Sequence, residues 1–159
     1  MQLLSIRRSF VLLTLILVGF LLTANAQTVT GSISDGTVGK GGSARGSLVL
    51  DIPGGLHVNS NRPASEYAIA TTVRLSSDGG VRTGSVTYPH GTNRKFQFSE
   101  NTINVYEGRV RFPFTVKVPA NYSGKTVRVR ATVRYQACTN EVCYPPKSKE
   151  VTLTARVRS

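Results

Sequence analysis

Two cysteines, Cys138 and Cys143, stand in the stretch from Tyr135 to Pro146, which reads YQACTNEVCYPP. With no third cysteine in the chain, they allow one intramolecular bridge and leave no thiol over. Such a pair can do one of two things. As a structural clip it is weak, because a small ring restricts the unfolded chain less than a long one. As a reversible dithiol it suits exchange: one thiolate attacks a partner's disulfide, a mixed disulfide forms, and the second cysteine resolves it by closing the ring. The residues alone leave clip and switch open. No helix start or neighbouring histidine in the sequence lowers a thiol pKa here, and Lys147 and Lys149 are the nearest cations. A thiol that reacts when a partner docks is therefore expected, and not a broadly reactive one.

Other chemistries find little support. His57 and His90 are far apart in sequence and no His or carboxylate set has ligand spacing, which argues against a metal enzyme or a hydrolase. No metal and no cofactor is expected.

The N-terminus bears on the compartment. Arg7 and Arg8 precede an apolar run from Phe10 to Leu22, and Ala24-Asn25-Ala26 has the small-residue pattern of a signal-peptidase site. The run is short for a bilayer span. The chain is therefore read as exported to the periplasm, cleaved after Ala26 and not membrane-spanning once mature, by the general secretory or the twin-arginine route. Disulfides persist in such an oxidising compartment. Arg7 and Arg8 account for two of the net +12 charges, leaving +10 on the exported part. Export makes a nucleic-acid partner unexpected. The cations are spread along strand patterns, so a solvated basic sheet face is the plainer reading, with anionic lipid, cell-wall polymer or an acidic partner as the alternative.

The elements that must position the cysteines read as strands. Residues 27–46 are rich in glycine and serine without apolar periodicity, and are read as a flexible tail. A domain over 47–159 follows. Leu48, Leu50 and Ile52 alternate with polar neighbours, and strands are expected at Tyr67–Leu75, Val81–Tyr88 and Lys95–Phe98. Val110, Phe112, Phe114, Val116 and Val118 form one apolar face, and Val127, Val129, Ala131, Val133 and Tyr135 another. Pro113 lacks an amide donor, which puts its strand at an edge or a bulge. Val151, Leu153, Ala155 and Val157 mark a last strand. Short strands throughout and no helical period predict an all-β, immunoglobulin-like antiparallel β-sandwich, with the cysteine ring between two consecutive strands.

The segment YQACTNEVCYPP resembles the cysteine loop of the N-terminal periplasmic domain of the thiol:disulfide interchange protein DsbD, and weaker similarity runs through GLHVNSNRP and VYEGRVRFPFTV. A monomer is expected, and the resemblance implies an immunoglobulin-like domain that takes reducing equivalents from a membrane electron-transfer protein. It would pass them to thioredoxin-like periplasmic proteins such as disulfide isomerases or cytochrome c maturation factors. By position it makes Cys138 and Cys143 the active pair, with Cys143 the site of the mixed disulfide and Tyr135, Gln136, Tyr144 and Pro145 its flanks. It also implies a cap loop near Arg94–Asn104, with Phe96 or Phe98 as its shield, and places His57 and Asn59 beside the cysteines. DsbD continues into transmembrane and thioredoxin-like domains whereas this chain stops at Ser159, so either separate membrane proteins are expected to supply its electrons or the domain has lost that supply and kept the fold. The competing expectation is a non-catalytic secreted β-sandwich that binds a partner and holds a structural disulfide.

Overall fold

The computed structural model describes residues 26–158; the expected signal peptide, Ala26 apart, lies outside the described residues. From the N-terminal side come β1 (Thr28–Ile33), β2 (Thr37–Gly39), β3 (Ser43–Asp51), β4 (His57–Asn59) and β5 (Thr72–Ser77). Three short strands follow, β6 (Arg82–Thr83), β7 (Thr92–Arg94) and β8 (Ile103–Tyr106). The chain then forms β9 (Arg109–Lys117), β10 (Thr126–Tyr135), β11 (Ala137–Cys138) and β12 (Lys147–Arg158). No helix occurs among the described residues, and the fold is the expected immunoglobulin-like β-sandwich.

Strict alternation builds the two main layers. In β9 every second residue is buried, and Phe112 and Val116 are fully so; in β10 the same holds for Val127, Val129, Val133 and Tyr135. One layer has the order β1-β3-β9-β6, the other β2-β12-β10-β5, and their apolar faces share one core with Leu48, Leu50, Leu153 and Ala155. Burying each large apolar side chain stabilises the fold by about 1.5–3 kcal/mol, so this shared core is what holds the layers together. All pairings are antiparallel except that β2 runs parallel to β12. The outward arginines of these strands lie in solvent, where Arg109 meets Asp51 at 2.8 Å and Arg130 meets Asp78 at 3.1 Å.

Residues 27–46, expected as a flexible tail, are instead part of the sandwich. β1 pairs with β3 from Thr28↔Asp51 to Ile33↔Gly46, and Ile33 and Val38 are buried. Gly31 serves close packing: a Cβ there would lie 2.6 Å from the Ser47 carbonyl oxygen.

Three strand expectations need correction. Tyr67–Leu75 is strand only from Thr72 onward: the Asn59 and Gln136 side chains hold the backbone of Ile69, and Thr71 is tied by its N–H to the Ser60 carbonyl and by its hydroxyl to the Asn59 carbonyl. Of Val81–Tyr88 only Arg82–Thr83 is strand. Beyond it Gly84 and Thr87 still donate to Thr115 and Pro113 of β9, but Pro113 has no N–H to return, and the ladder lapses. Lys95–Phe98 forms no strand and belongs to a loop joining β7 to β8.

A third, smaller sheet of order β11-β4-β8-β7 carries the cysteines at one end of the sandwich. Its inner face, Val58, Tyr106 and Ala137, joins the main core. Alternation then turns His57, Asn59, Val105 and Cys138 to the other face, where Phe96, Ile103 and Val105 form a second apolar cluster.

Candidate redox site

β11 is only two residues long, yet it fixes the first cysteine. Ala137 and Cys138 pair with Val58 and His57 of β4, and Tyr144 N–H donates to the Ala137 carbonyl at 2.8 Å. Between the cysteines, Thr139 closes a tight turn: its N–H donates to the Val142 carbonyl, and its hydroxyl oxygen accepts from the N–H groups of Glu141 and Val142. The chain is thereby folded back so that Cys138 and Cys143 face each other with Cα atoms 4.0 Å apart, bridged through sulfur. The two ends of the bridge are unequal. Cys138 is fully buried and Cys143 is exposed.

Gln136 ties this ring to the rest of the small sheet. Its Oε1 accepts from Asn59 Nδ2 at 3.0 Å and from the Ile69 N–H at 3.3 Å, while its Nε2 donates to the Tyr144 carbonyl at 3.2 Å. Asn59, itself buried, gives its side-chain N–H also to the Ile69 carbonyl.

The loop after β7 covers the same face. Phe96 stacks on the His57 ring with centroids 4.2 Å apart and planes at 12°, and Phe98 stacks on Phe96 at 5.2 Å and 5°. Phe96 is buried while Phe98 is 41% exposed. His57 Nε2 is buried without a hydrogen-bond partner. Burial pushes the His57 pKa below its ordinary value, with Glu107 opposing and Arg94 adding to the shift.

Beside Cys143 opens a cleft of about 560 Å³. Phe98 and Asn101 of the covering loop form one side and Glu66 and Tyr67 the other, with Gln136 and Asn59 also on its walls. Tyr67 stands 88% exposed.

Of the candidate residues, the structure brings together Cys138, Cys143, His57, Asn59, Gln136, Phe96 and Phe98. Tyr144 is exposed, and its backbone anchors the ring. Pro145 is exposed and follows it. Tyr135 points the other way, into the sandwich core, where its hydroxyl donates to Gln27 at 3.4 Å and burial raises its pKa. It is a core residue, as its place in the alternation of β10 requires. The wall at Ala64–Ala68 was missed. Its one sequence signal is the turn-forming run Pro63-Ala64-Ser65 just ahead of the strand expected from Tyr67; the positive φ of Ala64 (60°) has no signature in the residue type.

The chain is thus a β-sandwich whose small sheet carries one bridged cysteine pair with a buried and an exposed end. Residues 30–155 match the family model described as thiol:disulfide interchange protein DsbD, N-terminal, and the chain belongs to that family. Among solved structures, the Neisseria meningitidis DsbD N-terminal domain in the reduced form is 18% identical, covering 70% of this chain and 77% of that one, with a TM-score of 0.45. The N-terminal periplasmic domain of ScsB from Proteus mirabilis is 14% identical with a TM-score of 0.51, covering 86% of this chain and 48% of that one, so this chain spans about half of it. The second likeness is one of fold. No curated protein matches the chain. Among the described residues no helix is long and apolar enough to cross a membrane, and no group of His, Cys, Asp or Glu could hold a metal ion.

Proposed function

We propose that the chain is a periplasmic exchange domain that passes reducing equivalents through Cys138 and Cys143 to oxidised proteins with thioredoxin-like folds, and is itself recharged by a membrane electron-transfer protein. The observation that carries the reading is the inequality of the two sulfurs. In the reduced pair the exposed Cys143 is the one a partner's disulfide can reach; its thiolate attacks, and the mixed disulfide forms on it. Buried Cys138 is shielded from outside disulfides and faces Cys143, so its role is to attack the Cys143 sulfur, close the ring and release the partner reduced. The cleft between Phe98 and Tyr67 is where the partner's cysteine loop would lie. Export by the Arg7-Arg8 signal, with cleavage after Ala26, belongs to the same proposal, since ScsB carries its like-folded domain in the periplasm.

The reduction potential of the Cys138–Cys143 bridge tests this. A value between about −120 and −270 mV, where exchange proteins lie, is expected. A value below about −300 mV would mark a structural disulfide and favour a non-catalytic binding module.

A further inference from the structure

We propose that His57 is the internal proton acceptor for the Cys138 thiol when the ring closes, a role that rests on the exchange reading above. The register of β4 and β11 sets His57 directly opposite Cys138. Residues so paired send their side chains off the same face with Cβ atoms roughly 4.5–5.5 Å apart, which puts the imidazole and the sulfur on one side of the small sheet. Cys138 is fully buried, so solvent does not reach its sulfur to remove a proton. Something within the fold must do so, because the thiolate and not the thiol is the nucleophile.

His57 has the free valence for it. The residue is only 2% exposed and its Nε2 makes no hydrogen bond. Leaving a buried polar atom unpaired costs about 1–3 kcal/mol, and a native fold that keeps one calls for a reason. The redox state supplies that reason: the bridged Cys138 sulfur has no proton to offer, and on reduction it gains one. Phe96, stacked at 4.2 Å, fixes the plane of the imidazole and excludes water from that side. The other groups facing His57 are Arg94 on β7, Lys95 in the covering loop and Glu107 after β8. Arg94 and Glu107 are already paired at 2.9 Å. Burial, the largest influence on His57, favours the neutral ring that can accept a proton.

The step balances. With Cys143 joined to the partner's sulfur, the Cys138 S–H gives its proton to Nε2 of His57. The thiolate attacks the Cys143 sulfur, the Cys138–Cys143 bond forms, and the bond from Cys143 to the partner breaks. The partner's sulfur leaves with the electron pair and takes the proton from the imidazolium. Over both steps two electrons pass from the cysteine pair to the partner's disulfide.

The test uses the reduced protein and the probe 5,5′-dithiobis(2-nitrobenzoate), followed in stopped flow. Attack by Cys143 releases one thionitrobenzoate, and ring closure by Cys138 releases a second in a separate phase. In wild type the second phase should rise with pH to an inflection below about 6.5, the ordinary histidine pKa, and be flat above it. His57→Phe keeps a ring to stack on Phe96. It should slow that phase tenfold or more at neutral pH and make its rate climb in proportion to hydroxide. An unchanged rate and profile in His57→Phe overturns the proposal and leaves exchange intact, whereas absence of the second phase in wild type overturns both. Should His57→Phe not fold, the imidazole titration of His57 by NMR decides in its place. It should differ between reduced wild type and reduced Cys138→Ala, and coincident titrations overturn the proposal.

Discussion

The side-chain N–H of Asn59 reaches Gln136 Oε1 across 3.0 Å, and through Gln136 the buried strand β4 is joined to the Tyr144 carbonyl just past the second cysteine. The exposed end of the cysteine ring is thus held by a polar chain from the interior. Gln136→Ala would leave the Asn59 amide and the Ile69 N–H without that acceptor. The expected loss is about 1–3 kcal/mol, read as a lower denaturant midpoint with unchanged slope.

The inequality of the sulfurs has a consequence for trapping. Incubated with an oxidised thioredoxin-like protein, reduced Cys138→Ser should accumulate a mixed disulfide through the exposed Cys143, because nothing remains to resolve it. Reduced Cys143→Ser, left with a buried thiol, should accumulate none. Non-reducing electrophoresis distinguishes the two, and the opposite pattern would reverse the roles of the cysteines.

Phe96 and Phe98 are stacked but should separate in their effects. Phe96→Ala empties a buried site in the second apolar cluster, against the His57 ring, and should cost about 3 kcal/mol. Phe98, 41% exposed on the cleft, should cost under about 1 kcal/mol when truncated. Its loss bares the approach to Cys143, so the bridge in Phe98→Ala should be reduced faster by dithiothreitol than in wild type. Equal rates would show that Phe98 is no shield.

Burial of His57 also links stability to pH. The folded pKa lies below the ordinary value of 6.5, so between the two the unfolded chain binds more protons than the folded one. Stability then rises with pH through that window, is fully present above 6.5 and is lost as pH falls through the folded pKa. Denaturant melts at pH 7.5, 6.5 and 5.5 should show the slope for wild type and a shallower one for His57→Phe, which has no proton to take up there.

How much of this was legible follows from where the backbone finds its partners. β9, β10 and β12 announce themselves because each buries one face, which forces apolar and polar residues to alternate. Their pairing also fixes the ring: once Tyr135 ends one strand and Lys147 begins the next, Cys138 and Cys143 must lie in the turn between. The region around Tyr67–Thr71 gave a false strand because its β-branched residues suit a sheet, whereas at Ile69 the Asn59 and Gln136 side chains take the place of a neighbouring strand. Phe96 and Phe98, two apart, looked like strand residues for a similar reason. They share a side as strand residues would, but that side is covered by the rings themselves stacked on His57, and no sequence period encodes this. The resemblance to DsbD supplied the association of His57 and Asn59 with the cysteines that spacing alone did not.

The N-terminal glycines are the sharpest misreading, and they lend themselves to a test by sign. In a flexible tail Gly46→Ala would be neutral, or stabilising by about 0.4–1 kcal/mol, since alanine narrows the unfolded ensemble and meets nothing in the folded one. In the sandwich Gly46 pairs with Ile33 on one side and with Phe114 on the other, and a Cβ there would overlap the Phe114 ring. That ring is buried in a close-packed core, so it has little room to move away. Gly46→Ala should therefore destabilise, by about 1–3 kcal/mol as overpacking generally does. Calorimetry of the chain from Gln27 onward reads the direction directly: a lowered melting temperature makes residues 28–46 part of the cooperative fold that carries the cysteine ring, and a raised one returns them to a tail.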